Sequence, residues 1–397
     1  MIYFDNSATA PVDEEVLEAM LPYLKEEYGN PSSKYYCKAV NAHNAVEDSR
    51  KSVAALLGAN PEEIIFTAGA TESINFIIKG YLDYRRYYGD GKNHVITSTA
   101  EHKATLNTCK YLAGEIYSND DPTTTLFGQK RAVDRGYEAS FVDVSKDGNM
   151  LASSIEKEIK DNTALVSLIY VNNEIGSITD IPSISEICRK QGIAFHSDLT
   201  QAIGKIRICV HEMGIDYASC SAHKIYGPKG IGAAYMRSDD YGIQPITAFM
   251  HGGEQEFGFR AGTLAVHNIV GFGKAAEIAL RDFQKNEKEL KRLDTRFIEA
   301  VSDIPNIRLT IVPEKRAPGI ISIIVDKKDF NNERFIKAVS DDLALSTGSA
   351  CSAGEPSYVI SAIGLENEVS KVLRISLNKY TTDDDIKKLI QILQSRV

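Results

Sequence analysis

The chain has 397 residues, too many for one compact core, and this length predicts two or three structural units. Apolar residues make up 43% and charged residues 25%, which argues against a disordered or fibrous protein. A net charge of −9 argues against a chain-wide basic surface for nucleic acid, and no apolar run reaches the ~18 residues needed to span a membrane.

The start of the sequence and its cysteines favour a reducing cytoplasm. No charged start followed by an apolar stretch is present, so no signal peptide is expected. The cysteines form no close pair of the kind found in metal sites or disulfide frameworks, so no metal is expected. Most lie in apolar segments, and Cys351 is the exception. The six are Cys37, Cys109, Cys188, Cys209, Cys220 and Cys351.

From residue 62 to about residue 236, short apolar runs alternate with longer amphipathic stretches. This alternation predicts an α/β unit in which crossover helices join the strands of a mainly parallel sheet. Several runs are almost continuously apolar, as buried parallel strands require. The predicted strands cover residues 64–67, 94–98, 139–142, 165–170, 193–197, 217–220 and 232–236.

Three later features depart from this alternation. Residues 117–135 carry turn formers and charges without periodicity, which predicts a surface insertion. A long amphipathic stretch over residues 266–301 predicts a helix that leads into a second unit. Residues 307–397 mix a strand-like run at 319–325 with helical patterns and predict a smaller α+β unit.

Lys224 follows the predicted strand at 217–220 and is a candidate for covalent chemistry. In open parallel sheets, ligands bind beyond the carboxyl ends of the strands. A desolvated lysine there can lose its proton and form a Schiff base. Taken alone, its position favours the alternative of a solvated loop lysine, because most lysines are exposed.

Asp198, at the end of another predicted strand, is a second candidate, and it suggests which cofactor Lys224 could bind. Pyridoxal phosphate acts as an electron sink only while its ring nitrogen stays protonated, and an aspartate can hold that proton. Gln201 adds a polar amide three residues later. The alternative for Asp198 is a helix N-cap.

Two further turns follow predicted strands. The small residues at 67–73 lead into a helix that begins near Ala70, and the backbone N–H groups there, with the Thr71 hydroxyl, suit a phosphate. His102 is placed where its ring could lie over a planar cofactor. Capping roles are the alternatives for both turns, but the four elements together converge on one edge of the sheet.

These residues resemble the cysteine desulfurases, in the group with the Ser-Gly-Ser-Ala-Cys type of loop, among the class V aminotransferases of the fold-type I pyridoxal-phosphate enzymes. The resemblance runs nearly from end to end, with its segments in order. The matching segments are residues 3–9, 29–33, 67–73, 101–103, 171–176, 198–201, 221–224, 260–263 and 349–351.

The resemblance implies an aspartate aminotransferase-like fold with a seven-stranded, mainly parallel sheet. Its large cofactor-binding domain is expected at residues 14–265. A small domain, formed by residues 1–13 and 266–397, is expected to carry the loop of the catalytic cysteine. The resemblance also implies an obligate homodimer.

The resemblance further implies a role for each site residue. Lys224 forms the Schiff base with pyridoxal phosphate, Asp198 pairs with the pyridine nitrogen, and His102 stacks on the ring. Asn173 and Gln201 contact the phenolate oxygen, and Arg374 and Asn173 bind the substrate. The phosphate is held by Ala70, Thr71, Ser221 and His223, with Thr263 reaching the phosphate of a neighbouring subunit.

Cys351 is the implied sulfur acceptor. The small residues around it predict an exposed loop. No Lys, Arg or His lies between Asp341 and Ser370, so activation of the thiol has to come from His102 or from the substrate adduct. The alternative is an incidental surface cysteine.

The chain also departs from the family pattern. The loop after Cys351 is slightly shorter than usual in the group, which predicts a restricted reach to acceptors. Glu254 and Phe257 stand where Gly and Arg are more common. The insertion at residues 117–135 is unusual as well.

The expected reaction converts L-cysteine to L-alanine and leaves a persulfide on Cys351 that passes to a sulfur-acceptor protein. Iron–sulfur cluster assembly, tRNA thiolation and DNA phosphorothioation remain open as destinations, and no direct contact with nucleic acid or membrane is expected. One alternative is a selenocysteine lyase or an aminotransferase of the same fold, for which Cys351 is dispensable. Another is a sulfur relay or scaffold without cofactor, against which the intact set of site residues argues.

Overall fold

The computed structural model describes residues 1–115, 134–243, 245–348 and 356–397. Nearly all of the predicted insertion at residues 117–135 lies outside this part, and so does Cys351 with the residues just after it. The helices of the described part are α1 (Glu14–Lys25), α2 (Cys37–Leu57), α3 (Ala70–Tyr87), α4 (Lys103–Leu112), α5 (Ala152–Glu158), α6 (Ile181–Lys190), α7 (Val266–Arg281), α8 (Phe283–Ser302), α9 (Asn332–Val339), α10 (Tyr358–Ala362) and α11 (Asp383–Arg396).

The strands of the described part form one large sheet and three smaller ones. They are β1 (Ile2–Tyr3), β2 (Ile64–Thr67), β3 (His94–Ser98), β4 (Glu138–Val142), β5 (Thr163–Ile169), β6 (Ala194–Asp198), β7 (Tyr217–Ser221), β8 (Gly232–Met236), β9 (Ser238–Asp239), β10 (Gly242–Ile243), β11 (Ile307–Leu309), β12 (Ile320–Val325), β13 (Leu343–Ala344) and β14 (Val372–Ser376).

The large sheet has seven strands in the order β2-β8-β7-β6-β5-β3-β4. The seven strands and the mainly parallel α/β sheet predicted from the sequence are confirmed. One strand runs against the others, since β8 pairs antiparallel with both β2 and β7. The connection between Ser221 and Gly232 is too short for the crossover that a parallel neighbour would need, so the chain turns straight back.

The main core lies on the faces of this sheet. Every residue of β5, β6 and β7 is buried, as expected for strands covered on both sides. Helices α2 and α7 pack on each other at one face, with Val53 and Phe272 among the buried side chains. Their close approach depends on Gly273, because an added Cβ would lie 2.5 Å from the Cβ of Ser49.

A second core surrounds the antiparallel sheet β11-β12-β14. The chain start joins it, because β1 pairs with β13 and Phe4 is fully buried there. Helices α8 and α11 cover this sheet with Phe297 and Leu389. The domain division expected at residues 13 and 265 stays a prediction.

The stretch over residues 266–301, predicted as one helix, is two helices that meet at Asp282. The backbone of Asp282 leaves helical geometry, with φ −98° and ψ 6°, while its N–H still bonds Ile278 O. The break has a packing reason, because α7 buries its apolar side chains in the main core and α8 buries its own in the second core. A single straight helix would present one face to one core only.

None of the helices in the described ranges combines the length and the hydrophobicity needed to cross a membrane.

Candidate active site

A cavity of about 760 Å³ opens at the edge of the large sheet where β6 and β7 end. It brings together most of the site residues expected from the sequence, although they come from distant parts of the chain. Those that line it are Ala70, Thr71, His102, Asn173, Asp198, Gln201, Ser221, His223, Lys224 and Arg374.

Lys224 ends a short 3₁₀ turn, Ala222–Lys224, that follows β7 directly. Its Nζ donates hydrogen bonds to Ser7 O at 2.6 Å and to Ala8 O at 2.7 Å. The amine is therefore held at the cavity wall by backbone carbonyls from the start of the chain. This arrangement differs from the solvated loop lysine that position alone favoured.

The turn after Lys224 has unusual backbone geometry. Tyr226 has φ 66°, a left-handed conformation that costs a residue with a side chain about 1–3 kcal/mol. Neighbouring groups hold it there, because Asp13 N–H donates to Tyr226 O and the phenol oxygen of Tyr226 accepts from Lys379 N–H, both at 2.9 Å. The position of Lys224 is therefore fixed by contacts with both ends of the chain.

Asp198 is the last residue of β6, and it is 3% exposed. Its Oδ1 accepts a hydrogen bond from Thr200 N–H at 2.9 Å, so the carboxylate orders the turn that follows. The same side chain lines the cavity. Asp198 therefore both caps the turn that follows it and lines the cavity.

His102 caps the N-terminus of α4, and its Nδ1 accepts from Ala104 N–H at 3.1 Å. This bond assigns the tautomer with the proton on Nε2. Burial lowers the pKa of His102, although the charge of Asp198 opposes this effect. The neutral ring therefore keeps one hydrogen-bond donor, at Nε2.

Glu101 precedes His102 in the chain, and no role was predicted for it from the sequence. The carboxyl is fully buried, and its Oε1 accepts from Ser98 Oγ at 2.6 Å. Burial, with a contribution from Asp198, raises the pKa of Glu101 to about 8. Hydrogen bonds from Ser98 and from the backbone of Ile169 oppose this shift, and a carboxyl with a pKa of about 8 is mostly protonated at pH 7.

The turn between β2 and α3 forms the end of the cavity that suits an anion. Gly69 has φ 151° and ψ 174°, a conformation open almost only to glycine. The N–H of Ala70, at the start of α3, donates to Ser221 Oγ at 2.7 Å. His223 stands nearby with its Nδ1 at 3.1 Å from Thr9 Oγ1. A helix N-terminus with hydroxyl groups beside it is a common phosphate site.

Arg374, on β14, is 1% exposed and faces the cavity from the second sheet. Its Nη1 donates to Asn173 O at 2.9 Å and to Gly348 O at 2.7 Å. Its Nη2 donates to Asp5 Oδ1 at 2.6 Å. Asp5 lies in the N-terminal segment of the resemblance, but the sequence did not indicate its ion pair with Arg374.

The two remaining expected site residues are Thr263 and Cys351. Thr263 is exposed and does not line the cavity. Cys351 lies outside the described residues. On the two sides of that segment, Gly348 O accepts from Arg374, and Ser357 Oγ donates to Glu174 Oε2 at 2.5 Å.

The chemistry of the cavity fits pyridoxal phosphate. Its lining includes an amine, a carboxylate, a neutral imidazole, the anion-binding turn and a guanidinium group. Asn173 Oδ1 and Thr200 Oγ1 are buried in its wall without a partner in the described part of the chain, so they are available to a bound molecule. No group of His, Cys, Asp or Glu suited to a metal ion occurs among the described residues.

Comparisons with known proteins agree with this geometry. The model of the aminotransferase class-V family matches residues 2–389. Cysteine desulfurase IscS of Rickettsia typhi is 40% identical over 100% of this chain and 91% of its own length.

Solved structures give the same result. A NifS-like protein superposes with a TM-score of 0.86 at 31% identity, covering 99% of this chain and 98% of its own. SspA in complex with cysteine superposes with a TM-score of 0.79 at 32% identity, covering 96% and 100%. The chain therefore belongs to the aminotransferase class-V family and, within it, to the cysteine desulfurases.

Proposed function

We propose that this chain is a pyridoxal-phosphate-dependent enzyme that converts L-cysteine to L-alanine and leaves the sulfur as a persulfide on Cys351. The observation that carries the proposal is the cavity in which the amine of Lys224 meets Asp198, His102 and Arg374. The Rickettsia typhi relative is named a cysteine desulfurase, and SspA was solved in complex with cysteine.

We assign the cofactor to residues of this cavity. Lys224 bonds it covalently, Asp198 pairs with its pyridine nitrogen, and His102 stacks on its ring. The residues that bind its phosphate are Ala70, Thr71, Ser221 and His223, and those that address its phenolate oxygen are Asn173 and Gln201. When bound, pyridoxal phosphate supplies an electron sink for the substrate carbons.

Arg374 and Asn173 orient the substrate. A guanidinium group binds a carboxylate through two parallel hydrogen bonds, and Arg374 is already held in place by Asp5 and by two carbonyl groups. Because the cation is almost fully buried, its attraction for a carboxylate is strengthened. The substrate therefore enters with its carboxylate fixed and its side chain free to meet Cys351.

Proton transfer is divided between two residues. The amine of Lys224 takes the proton from the substrate Cα. His102, with its Nδ1 engaged by Ala104 N–H, offers its Nε2 proton to the cavity. In this tautomer His102 can give a proton to a thiolate but cannot take one from the Cys351 thiol.

The sulfur transfer balances for the reactants and products. The Cys351 thiolate attacks the substrate sulfur, a sulfur–sulfur bond forms, and the bond between sulfur and Cβ breaks. Its electron pair stays with the carbon skeleton, which takes up the equivalent of the proton lost by the Cys351 thiol and leaves as alanine. One L-cysteine and one Cys351 thiol give one L-alanine and one Cys351 persulfide, which a thiol of an acceptor protein then removes.

Two further assignments accompany this function. Thr263, exposed in its own chain, reaches the phosphate of a neighbouring subunit in a homodimer. The cycle needs a reduced Cys351, and Cys37, Cys109, Cys188, Cys209 and Cys220 are all free thiols, so we place the enzyme in a reducing cytoplasm.

Release of alanine and sulfide from L-cysteine, with a thiol reductant present, tests this function. We expect both products in equal amounts from a protein with a visible absorption band. Lys224→Ala should lose the band and the activity, whereas Cys351→Ala should keep the band and lose alanine release. Cys37→Ala, at an exposed cysteine, is the control and should behave as the parent. Alanine release by Cys351→Ala at the parent rate would refute the role of the thiol.

A further inference from the structure

A lysine outside the expected set stands one turn after Gln201. Residues 199–206 fold as helical turns, in which Ala202 N–H bonds Leu199 O and Ile206 N–H bonds Ala202 O. This fold places Lys205 on the same side as Gln201. Its Nζ donates to Gln201 Oε1 at 2.9 Å and to Gln201 O at 3.3 Å.

The contact determines how the Gln201 amide is oriented. The charged form of Lys205 only donates, so the atom that faces it in this form is the amide oxygen. The amide nitrogen is then on the other side, where Nε2 donates to Ser7 O at 2.8 Å. Ser7 O is also an acceptor for Lys224 Nζ, so the Gln201 donor points toward the place where the reactive amine lies.

The charge of Lys205 is not balanced locally. Among the residues that the structure describes, none with a carboxylate forms an ion pair with it, and its own partners are the two oxygens of Gln201. The charged residues that line a cavity of about 40 Å³ beside it are Lys224, Lys379 and Glu287. Burial, with the charges of Lys224 and Arg374, lowers the pKa of Lys205 to about 7.

An unbalanced cation in a partly buried place is costly, and such groups cluster where a protein binds a charged ligand. Three cations, Lys205, Lys224 and Arg374, lie close enough to lower the pKa of one of them. A bound anion would offset this repulsion. The cofactor proposed for this cavity carries such charge on its phosphate and its ring oxygen.

We propose that Lys205 is a positioning residue for the cofactor site, where its ammonium group holds the Gln201 amide with Nε2 facing the cavity and adds positive charge behind it. The inference rests on the proposed function, because Gln201 addresses the ring oxygen only if pyridoxal phosphate binds here. An anionic ring oxygen needs a donor, and Nε2 is the donor of the amide.

The test compares Lys205→Met, which keeps the apolar stem, with Lys205→Arg, which keeps the charge. Lys274→Met is the control, because Lys274 lies on α7 in surface ion pairs with Glu15 and Glu277. The measurements are the dissociation constant of pyridoxal phosphate titrated into the apoprotein and the pH midpoint of the visible band of the holoenzyme.

We expect Lys205→Met to bind pyridoxal phosphate about tenfold more weakly and to raise the pH midpoint by about one unit, since loss of a nearby positive charge favours the protonated form of the bound cofactor. Lys205→Arg should restore most of the midpoint, and Lys274→Met should match the parent. Adding Lys205→Met to Gln201→Ala should weaken binding little further, because the two residues act together.

Parent values for both quantities in a folded Lys205→Met variant would overturn the proposal, and so would additive losses in the double variant. If Lys205→Met does not fold, Lys205→Arg and Gln201→Ala provide the test, and a parent affinity for pyridoxal phosphate in Gln201→Ala contradicts the link. A parent protein that takes up no pyridoxal phosphate contradicts the proposed function itself, and the inference with it.

Discussion

At the scale of single residues, the buried carboxyl of Glu101 makes stability depend on pH. Its pKa is raised to about 8 in the folded protein, so the folded state holds a proton that the unfolded state has lost above about pH 4.5. Stability from this group is therefore complete below pH 4.5 and is lost as pH rises through about 8.

We expect Glu101→Gln to remove this dependence. The free energy of unfolding of the variant minus that of the parent should rise by about 1–3 kcal/mol from pH 6 to pH 9, because the glutamine side chain stays neutral. Denaturant unfolding at the two pH values measures the gain. Glu62→Gln, at an exposed glutamate, should show no such change. An equal gain in both variants would contradict the neutral state of Glu101.

A second residue-scale prediction concerns Arg374. A lysine cannot bond Asn173 O, Gly348 O and Asp5 at once and also bind a carboxylate in two places. Arg374→Lys should therefore lower kcat/KM for L-cysteine about 100-fold, mainly through KM. Arg292→Lys, on the exposed side of α8, is the control. Parent kinetics in Arg374→Lys would remove the residue from the substrate site.

At this scale the sequence indicated the candidate site residues but not the hydrogen bonds that hold their side chains in place. The roles of Lys224 and Asp198 were predictable as hypotheses, since both lie at the carboxyl end of a buried strand. The hydrogen bonds of Lys224 to Ser7 and of Arg374 to Asp5 join positions more than 200 residues apart. No local pattern carries such pairs, because they arise only when the two ends of the chain fold together.

At the scale of elements, the turn between β2 and α3 needs a glycine at one position. Gly69 takes a backbone conformation that is essentially restricted to glycine, and an added Cβ would lie 3.4 Å from Ser221 Oγ. Gly69→Ala should cost about 1–3 kcal/mol of stability and weaken cofactor binding. Gly91→Ala, also at positive φ but in open space, should lose stability and keep the affinity. Equal cofactor affinity in the two variants would contradict a phosphate site at this turn.

The prediction of elements from the sequence missed two features that tertiary packing determines, the direction of one strand and the break in one helix. Apolar runs predicted the seven strands well, but they carry no direction, so the antiparallel course of β8 became visible only through its short connection. The helical pattern over residues 266–301 continues through Asp282, yet the structure breaks there. The break follows from two separate cores, and sequence periodicity does not distinguish between them.

At the scale of the whole molecule, the proposed homodimer predicts complementation between subunits. Lys224→Ala and Thr263→Val each damage a site, but a mixed dimer contains one site with both native residues. Random mixing in equal amounts makes half of the dimers mixed, so we expect about a quarter of the parent activity. Each variant alone is the control. A mixture no more active than its components would show that Thr263 does not serve a neighbouring subunit.

The measurement that tests the central claim most directly is a single turnover of the holoenzyme with L-cysteine and no reductant, followed by mass spectrometry of the protein. The account predicts one alanine per active site and a mass gain of one sulfur atom on the peptide that contains Cys351. Alanine formed without sulfur on that peptide, or sulfur found on another cysteine, would contradict the account.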